Sequence, residues 1–259
     1  SELDVLRQTL LYGGLEAIAY NQNRKRADLK LYEFGKSYHL TKNETSGEKF
    51  YTEQNHLSLF ITGKSTLESW QNKTENSSIY TAKYYASLLL QRLGIASYKE
   101  VAFQNEVISA GLQLIVNQKT LVEIGAVSKG ILKKADIKSE VFFVDVNWDL
   151  LLKVSGTKNT LYREMPKFPE VRRDLALLID TAISYAQIEE LAFQTEKKLL
   201  KAVNLFDVYE GEKLEAGKKS YAVSFIIQDE NSTLEDKQIE KIMDKLISTF
   251  KEKLGAAIR

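Results

Sequence analysis

Residues 205–211 read LFDVYEG, an aromatic and acidic motif in which Asp207 and Tyr209 stand two positions apart. Side chains alternate along a strand, so Asp207 and Tyr209 are expected on one face and Phe206 and Val208 on the other. The second face suits a core. The first presents a carboxylate, which when ionised only accepts hydrogen bonds, beside a phenol ring. A stacking ring next to hydrogen-bonding groups on an open sheet is a common way to hold an unpaired RNA base. A blander reading competes with it: a solvated strand end running into a turn, since tyrosine is frequent on strand surfaces.

The elements that must position this motif run strand, helix, strand, strand, helix, strand. Residues 173–179 (RDLALLI) are apolar on both faces in their second half, which marks a central strand. Ser184 and Gln187 make a capping box for a helix whose buried stripe includes Ile188, Leu191 and Ala192. Residues 203–209 form the second strand. In the third, residues 220–228, Tyr221, Val223, Phe225 and Ile227 face one way, and Ser220, Ala222, Ser224, Ile226 and Gln228 the other. A second helix is expected from Ser232 or Thr233, with a broad apolar face and a C-terminal cap at Gly255. Residues 256–259 suffice for a short last strand. This order is the split βαβ, or ferredoxin-like, arrangement, in which two helices cover one sheet face and leave the other open.

Pro166 and Pro169 are the only prolines and follow a polar run at residues 155–160, so a linker is expected about residues 155–166. The domains are then 1–160 and 166–259. In the first, a helix is expected over 11–24 and strands over 29–40, 56–63, 111–116, 120–127 and 141–146. Further helices are expected over 79–93, 128–135 and from Asn147 through Leu152. Short strands joined by turns, with helices between them, indicate an α+β fold on a largely antiparallel sheet. Leu10, Leu11, Tyr12 and Tyr20 crowd a segment with little obvious core to fill, which suggests a partner surface.

Composition removes several function classes. The chain has no cysteine, so thiolate metal sites, disulfides and cysteine nucleophiles are absent. His39 and His56 are the only histidines and read as structural or surface residues rather than a metal pair. No Ser or carboxylate constellation is apparent around either, so no general base is assigned. Neither G-x-G-x-x-G nor a P-loop occurs. No apolar run approaches the ~20 residues of a membrane span and no signal peptide opens the chain, so a cytoplasmic setting without membrane contact is expected. From Pro166 onward, 15 Lys and Arg stand against 17 Asp and Glu, a net charge of −2. Such a domain cannot lean on phosphate neutralisation; any RNA contact must be made by a few shaped groups.

Three stretches carry a family likeness: residues 6–24 with 29–38 (LRQTLLYGGLEAIAYNQNR and LKLYEFGKSY), residues 168–180 (FPEVRRDLALLID), and LFDVYEG with residues 217–229 (GKKSYAVSFIIQD). Together they resemble the C-terminal portion of the beta subunit of bacterial phenylalanyl-tRNA synthetases. The resemblance implies a class II synthetase-like module without catalytic equipment, followed by a ferredoxin-like βαββαβ anticodon-binding domain. It implies phenylalanine tRNA and a catalytic alpha subunit as partners, in an assembly of two alpha and two beta subunits. ATP and magnesium would serve the complete enzyme, with no cofactor, metal or catalytic residue in this chain. It carries nucleic-acid contact onto Asp207, Tyr209 and Ser220. Tyr209 would stack on the first anticodon base, and Asp207 would favour an edge rich in donors, such as the N1–H and N2–H₂ of guanine.

The arginines agree with an inactive module, because ATP phosphates need fixed, planar donors. Up to Glu164 they are Arg7, Arg24, Arg26, Arg92 and Arg163, none in a glycine-rich strand context. Because the matched segment begins at once, the chain is expected to be a fragment of a larger subunit. The competing class is a regulatory small-molecule or protein-binding module of ferredoxin-like fold. That class would hold its ligand in a helix-edge or dimer cleft, whereas the RNA reading needs the polar, open sheet face.

Overall fold

Along one strand of the first unit, Leu57 and Ile61 turn to one side and Phe60 to the other, and each side meets its own core. The computed structural model describes residues 5–42, 47, 49–95, 97–155, 162, 164–211 and 214–258. It divides into two compact units, Ser1–Thr160 and Leu161–Arg259.

In the first unit the strands are β1 (Leu29–Lys42), β2 (Lys49–Thr62), β5 (Lys99–Phe103), β6 (Ile108–Val116), β7 (Lys119–Val127) and β8 (Val141–Asn147). Among the described residues they form one sheet in the order β1-β2-β8-β7-β6-β5, antiparallel at every step. Among the described residues, the short β3 (Lys64–Thr66) and β4 (Glu75–Asn76) form a separate two-stranded sheet. On one face, α2 (Ile79–Arg92) lays Ala82, Ala86 and Leu90 over the sheet with Leu151 of α4 (Trp148–Ser155). On the other face, α1 (Leu11–Gln22) and α3 (Lys129–Lys134) bring Leu11, Leu15, Ile18 and Leu132 onto Phe60 and Phe143. The four-residue spacing of the contact residues is that of one helix face.

Three expectations change here. Strand β2 starts at Lys49 and not at His56, because residues 49–55 pair with β1 alone, beyond the reach of β8. Strand β5, not expected from the sequence, is a short edge strand with charged residues at its start. Leu10 and Leu11 do have a core to fill and are buried, whereas Tyr12 and Tyr20 are exposed. The guanidinium of Arg24 lies 3.4 Å from the centroid of the Tyr20 ring.

The second unit comprises β9 (Val171–Asp180), α5 (Tyr185–Thr195), β10 (Leu200–Tyr209), β11 (Lys218–Ile227), α6 (Asp236–Leu254) and β12 (Ala257–Ile258). Its sheet runs β10-β11-β9-β12, antiparallel throughout. The capping box of Ser184 and Gln187 opens α5 as expected. Helix α6 begins later than Ser232 because Asp229 gathers the Asn231 amide and the Ser232 hydroxyl into a turn. Glu235 and Gln238 then form the capping box. Gly255 ends α6 at φ 60°, a left-handed conformation that a side chain would strain. Ile188 and Leu191 of α5, with Ile239, Leu246 and Phe250 of α6, pack onto Leu177, Val223, Phe225 and Ile227. Both helices lie on that side. No helix among the described residues is long and apolar enough to cross a membrane.

Candidate nucleic-acid interface

Strand register decides which way the motif points. Leu205 is opposite Val223 and packs on the helix-covered core, so unbroken alternation would turn Asp207 and Tyr209 toward the helices as well. The register shifts by one residue between Leu205 and Asp207. After that bulge Asp207 is opposite Ala222 and Tyr209 is opposite Ser220, on the side facing away from α5 and α6. Asp207 Oδ1 accepts the Val208 amide at 2.9 Å, giving a partner to a donor beside the broken ladder. Val208 is opposite the core residue Tyr221 and so keeps its expected face.

Phe206 does not keep its expected face. It is the extra residue of the bulge and is 48% exposed. Its ring lies 5.1 Å from the guanidinium carbon of Arg172, whose strand neighbours Asp174 and Leu178 register with Ser224 and Ser220 on the open side. A one-residue insertion has no signal in an alternation pattern, which is why the motif alone sends Phe206 to the core.

Tyr209 is 37% exposed, and its ring folds toward Gly211, where an added Cβ would come within 2.8 Å of the hydroxyl. The glycine of LFDVYEG therefore makes room for the ring. Ser220 lies between Tyr209 of β10 and Leu178 of β9, and it is only 7% exposed. It forms part of the floor of the face rather than a projecting contact. Asp207 and Tyr209 are thus brought together at the surface, with Ser220 beneath them.

β10 is an edge strand and needs support from the helix side. The Tyr185 hydroxyl on α5 donates to the Val203 carbonyl at 2.8 Å. Burial, with a smaller push from Glu189, holds this phenol well above its ordinary pKa, so it remains a donor. Tyr185→Phe is expected to lower stability by about 1 kcal/mol. A shifted urea midpoint checks this, and an unshifted one would show that the bond contributes nothing.

The family comparisons bear on this face. Residues 166–259 match the model of a ferredoxin-fold anticodon binding domain. Residues 1–148 match the CLM domain of the phenylalanyl tRNA synthetase beta chain. The chain belongs to the phenylalanyl-tRNA synthetase beta chain family. The phenylalanine–tRNA ligase beta subunit of Bacteroides fragilis is 48% identical over 265 residues, covering 100% of this chain and 32% of that protein. The beta subunit of Porphyromonas gingivalis is 42% identical over 264 residues, with 100% and 32% covered. The chain thus spans about a third of the length of the curated relatives it matches. Among solved structures, a pyrrolysyl-tRNA synthetase from Desulfitobacterium hafniense aligns with TM-score 0.44 and 16% identity, over 57% of this chain and 49% of its own.

In this beta-chain module the first unit holds a constellation that sequence spacing did not reveal. His56 Nδ1 lies 2.8 Å from Asp145 Oδ2, and its Nε2 lies 2.8 Å from Ser37 Oγ. Ser37 Oγ is in turn 3.1 Å from His39 Nε2, and Ser58 donates to Asp145 Oδ1 at 2.7 Å. Three different strands supply these residues, so only sheet register assembles them. The line Ser37–His56–Asp145 has the order of a nucleophilic triad, yet Ser37 is fully buried and out of reach of a substrate. Nearby carboxylates are paired as well: Glu33 with Arg7 at 2.6 Å, and Glu123 with the Gln113 amide at 2.8 Å. Arg7 also donates to the Lys36 carbonyl, so it is already engaged within the sheet. Arg163 lies outside the described residues.

Proposed function

We propose that this chain is a non-catalytic part of a phenylalanine–tRNA ligase beta subunit. Its second unit recognises the tRNA anticodon on the open sheet face, and its first unit braces the catalytic alpha subunit. The observation that carries the reading is the bulge, which turns a carboxylate and a phenol outward together on a domain matched by an anticodon-binding model. Tyr209 stacks on the first anticodon base. The carboxylate of Asp207, whose only hydrogen bond among the described residues is accepted from the Val208 amide, accepts from the donor edge of guanine. Ser220 closes the floor beneath the stacked base. In this reading ATP and magnesium act on the alpha subunit, in keeping with the engagement of Arg7 by Glu33 and a backbone carbonyl.

The test is footprinting of the complete ligase on phenylalanine tRNA. Protection of the anticodon loop is expected for the parent enzyme and lost when residues 166–259 are removed. Protection that survives the truncation would refute the reading. The chain alone is expected to form no adenylate from ATP and phenylalanine, and adenylate from a clean preparation would overturn its non-catalytic role.

A further inference from the structure

The bulge that turns Asp207 and Tyr209 outward leaves a large apolar ring on the same side. Phe206 stays half exposed there, while Phe225, on the helix side of the sheet, is fully buried. Arg172 reaches over from β9, with β11 between the two strands, to set its guanidinium against the Phe206 ring. Asp174 holds that guanidinium with two bonds, 2.8 Å to Nε and 3.2 Å to Nη2. The charge is thereby compensated and the planar group steadied, which suits stacking better than capture of a phosphate. Asp207 and Asp174 on the same face also oppose a phosphate backbone.

We infer that Phe206, backed by Arg172, is a second stacking station for an unpaired base, beside the one at Asp207 and Tyr209. The inference rests on the reading of the open face as an anticodon surface and adds a second nucleotide to it. Phe206 and Tyr209 flank Asp207, and strand rise sets them roughly 7–10 Å apart. Bases on the two rings therefore belong to neighbouring nucleotides that are splayed rather than stacked on each other. Guanidinium, ring and base form one layered stack, a mode that single strands use on aromatic and arginine planes. Every base has a π face, so this station adds affinity without choosing a base. Sequence choice stays with Asp207.

The probe is a stem-loop RNA carrying the anticodon loop of phenylalanine tRNA, bound to this chain, with companion RNAs made abasic at one loop position each. Phe206→Leu is expected to weaken binding about fivefold to a hundredfold, with the thermal midpoint retained. An abasic change next to the first anticodon position should cause the same loss, and combining it with Phe206→Leu should add nothing further. Tyr209→Ala should couple in the same way to the first anticodon position. Arg172→Lys keeps the charge and removes the plane, so it should also weaken binding, whereas a phosphate clamp would tolerate it. If Phe206→Leu lowers the thermal midpoint, Phe206→Trp decides: retained binding supports the station and lost binding overturns it. Should Phe206→Leu bind within twofold of the parent while Tyr209→Ala loses affinity, the second station is wrong and the anticodon surface stands. The ring would then be a contact for protein. If neither variant changes affinity, or the parent does not bind the stem-loop, the anticodon reading fails and takes this inference with it.

Discussion

Tyr209→Ala in the complete ligase is expected to weaken tRNA binding by roughly 1–3 kcal/mol, about fivefold to 150-fold, and to leave phenylalanine adenylation unchanged. The magnitude is that of removing one aromatic platform from under one base. Adenylation is untouched because it needs no anticodon. Tyr209→Phe should keep most of the affinity, since the stacking surface survives and only the hydroxyl is lost. Little folding cost is expected, because the ring is 37% exposed and lies off the helix-covered core. Binding should be read by fluorescence titration and adenylation by pyrophosphate exchange, on the same preparations. Unchanged tRNA affinity in Tyr209→Ala would remove the ring from the interface. Equal losses in both assays would point to a damaged fold instead.

The parts of this site that were legible in the sequence are those set by local patterns. The polar and apolar alternation of β11 correctly divides Tyr221, Val223, Phe225 and Ile227 from Ser220, Ala222, Ser224 and Ile226. Ser184 with Gln187, and Gly255, mark a helix start and a helix end through chemistry confined to a few residues. Simple alternation puts Asp207 and Tyr209 on the open face, but for an incomplete reason. Alternation runs in both directions from any starting residue, and Leu205, which packs on the core, contradicts it without a bulge. The extra residue that reconciles Leu205 with Asp207 exists only in the pairing with β11, and it carries Phe206 to the other side. The His56 constellation is hidden for a similar reason. Ser37, His56 and Asp145 meet across three strands whose register no single segment encodes. The burial of Leu10 and Leu11 likewise depends on the sheet face beneath α1, which the local sequence does not show.

Gly13→Ala and Gly14→Ala, neighbours in α1, are expected to move stability in opposite directions. Helix propensity alone predicts a gain of about 0.5–1 kcal/mol for both, because alanine restricts the unfolded chain and suits a helix. Gly13 should show that gain, since an added Cβ meets nothing within 4 Å. Gly14 is buried against the sheet, and its added Cβ would fall 2.1 Å from Cε1 and Cζ of Phe60. Phe60 has little freedom to yield: it is 1% exposed and its ring packs 5.2 Å from that of Phe143. Overpacking of a tight core costs about 1–3 kcal/mol, enough to outweigh the propensity term. Gly14→Ala should therefore lower the urea midpoint followed by circular dichroism, while Gly13→Ala raises it. A Gly14→Ala protein as stable as the parent would mean that α1 does not rest on Phe60. The packing that places α1 over this face of the sheet would then have to be redrawn.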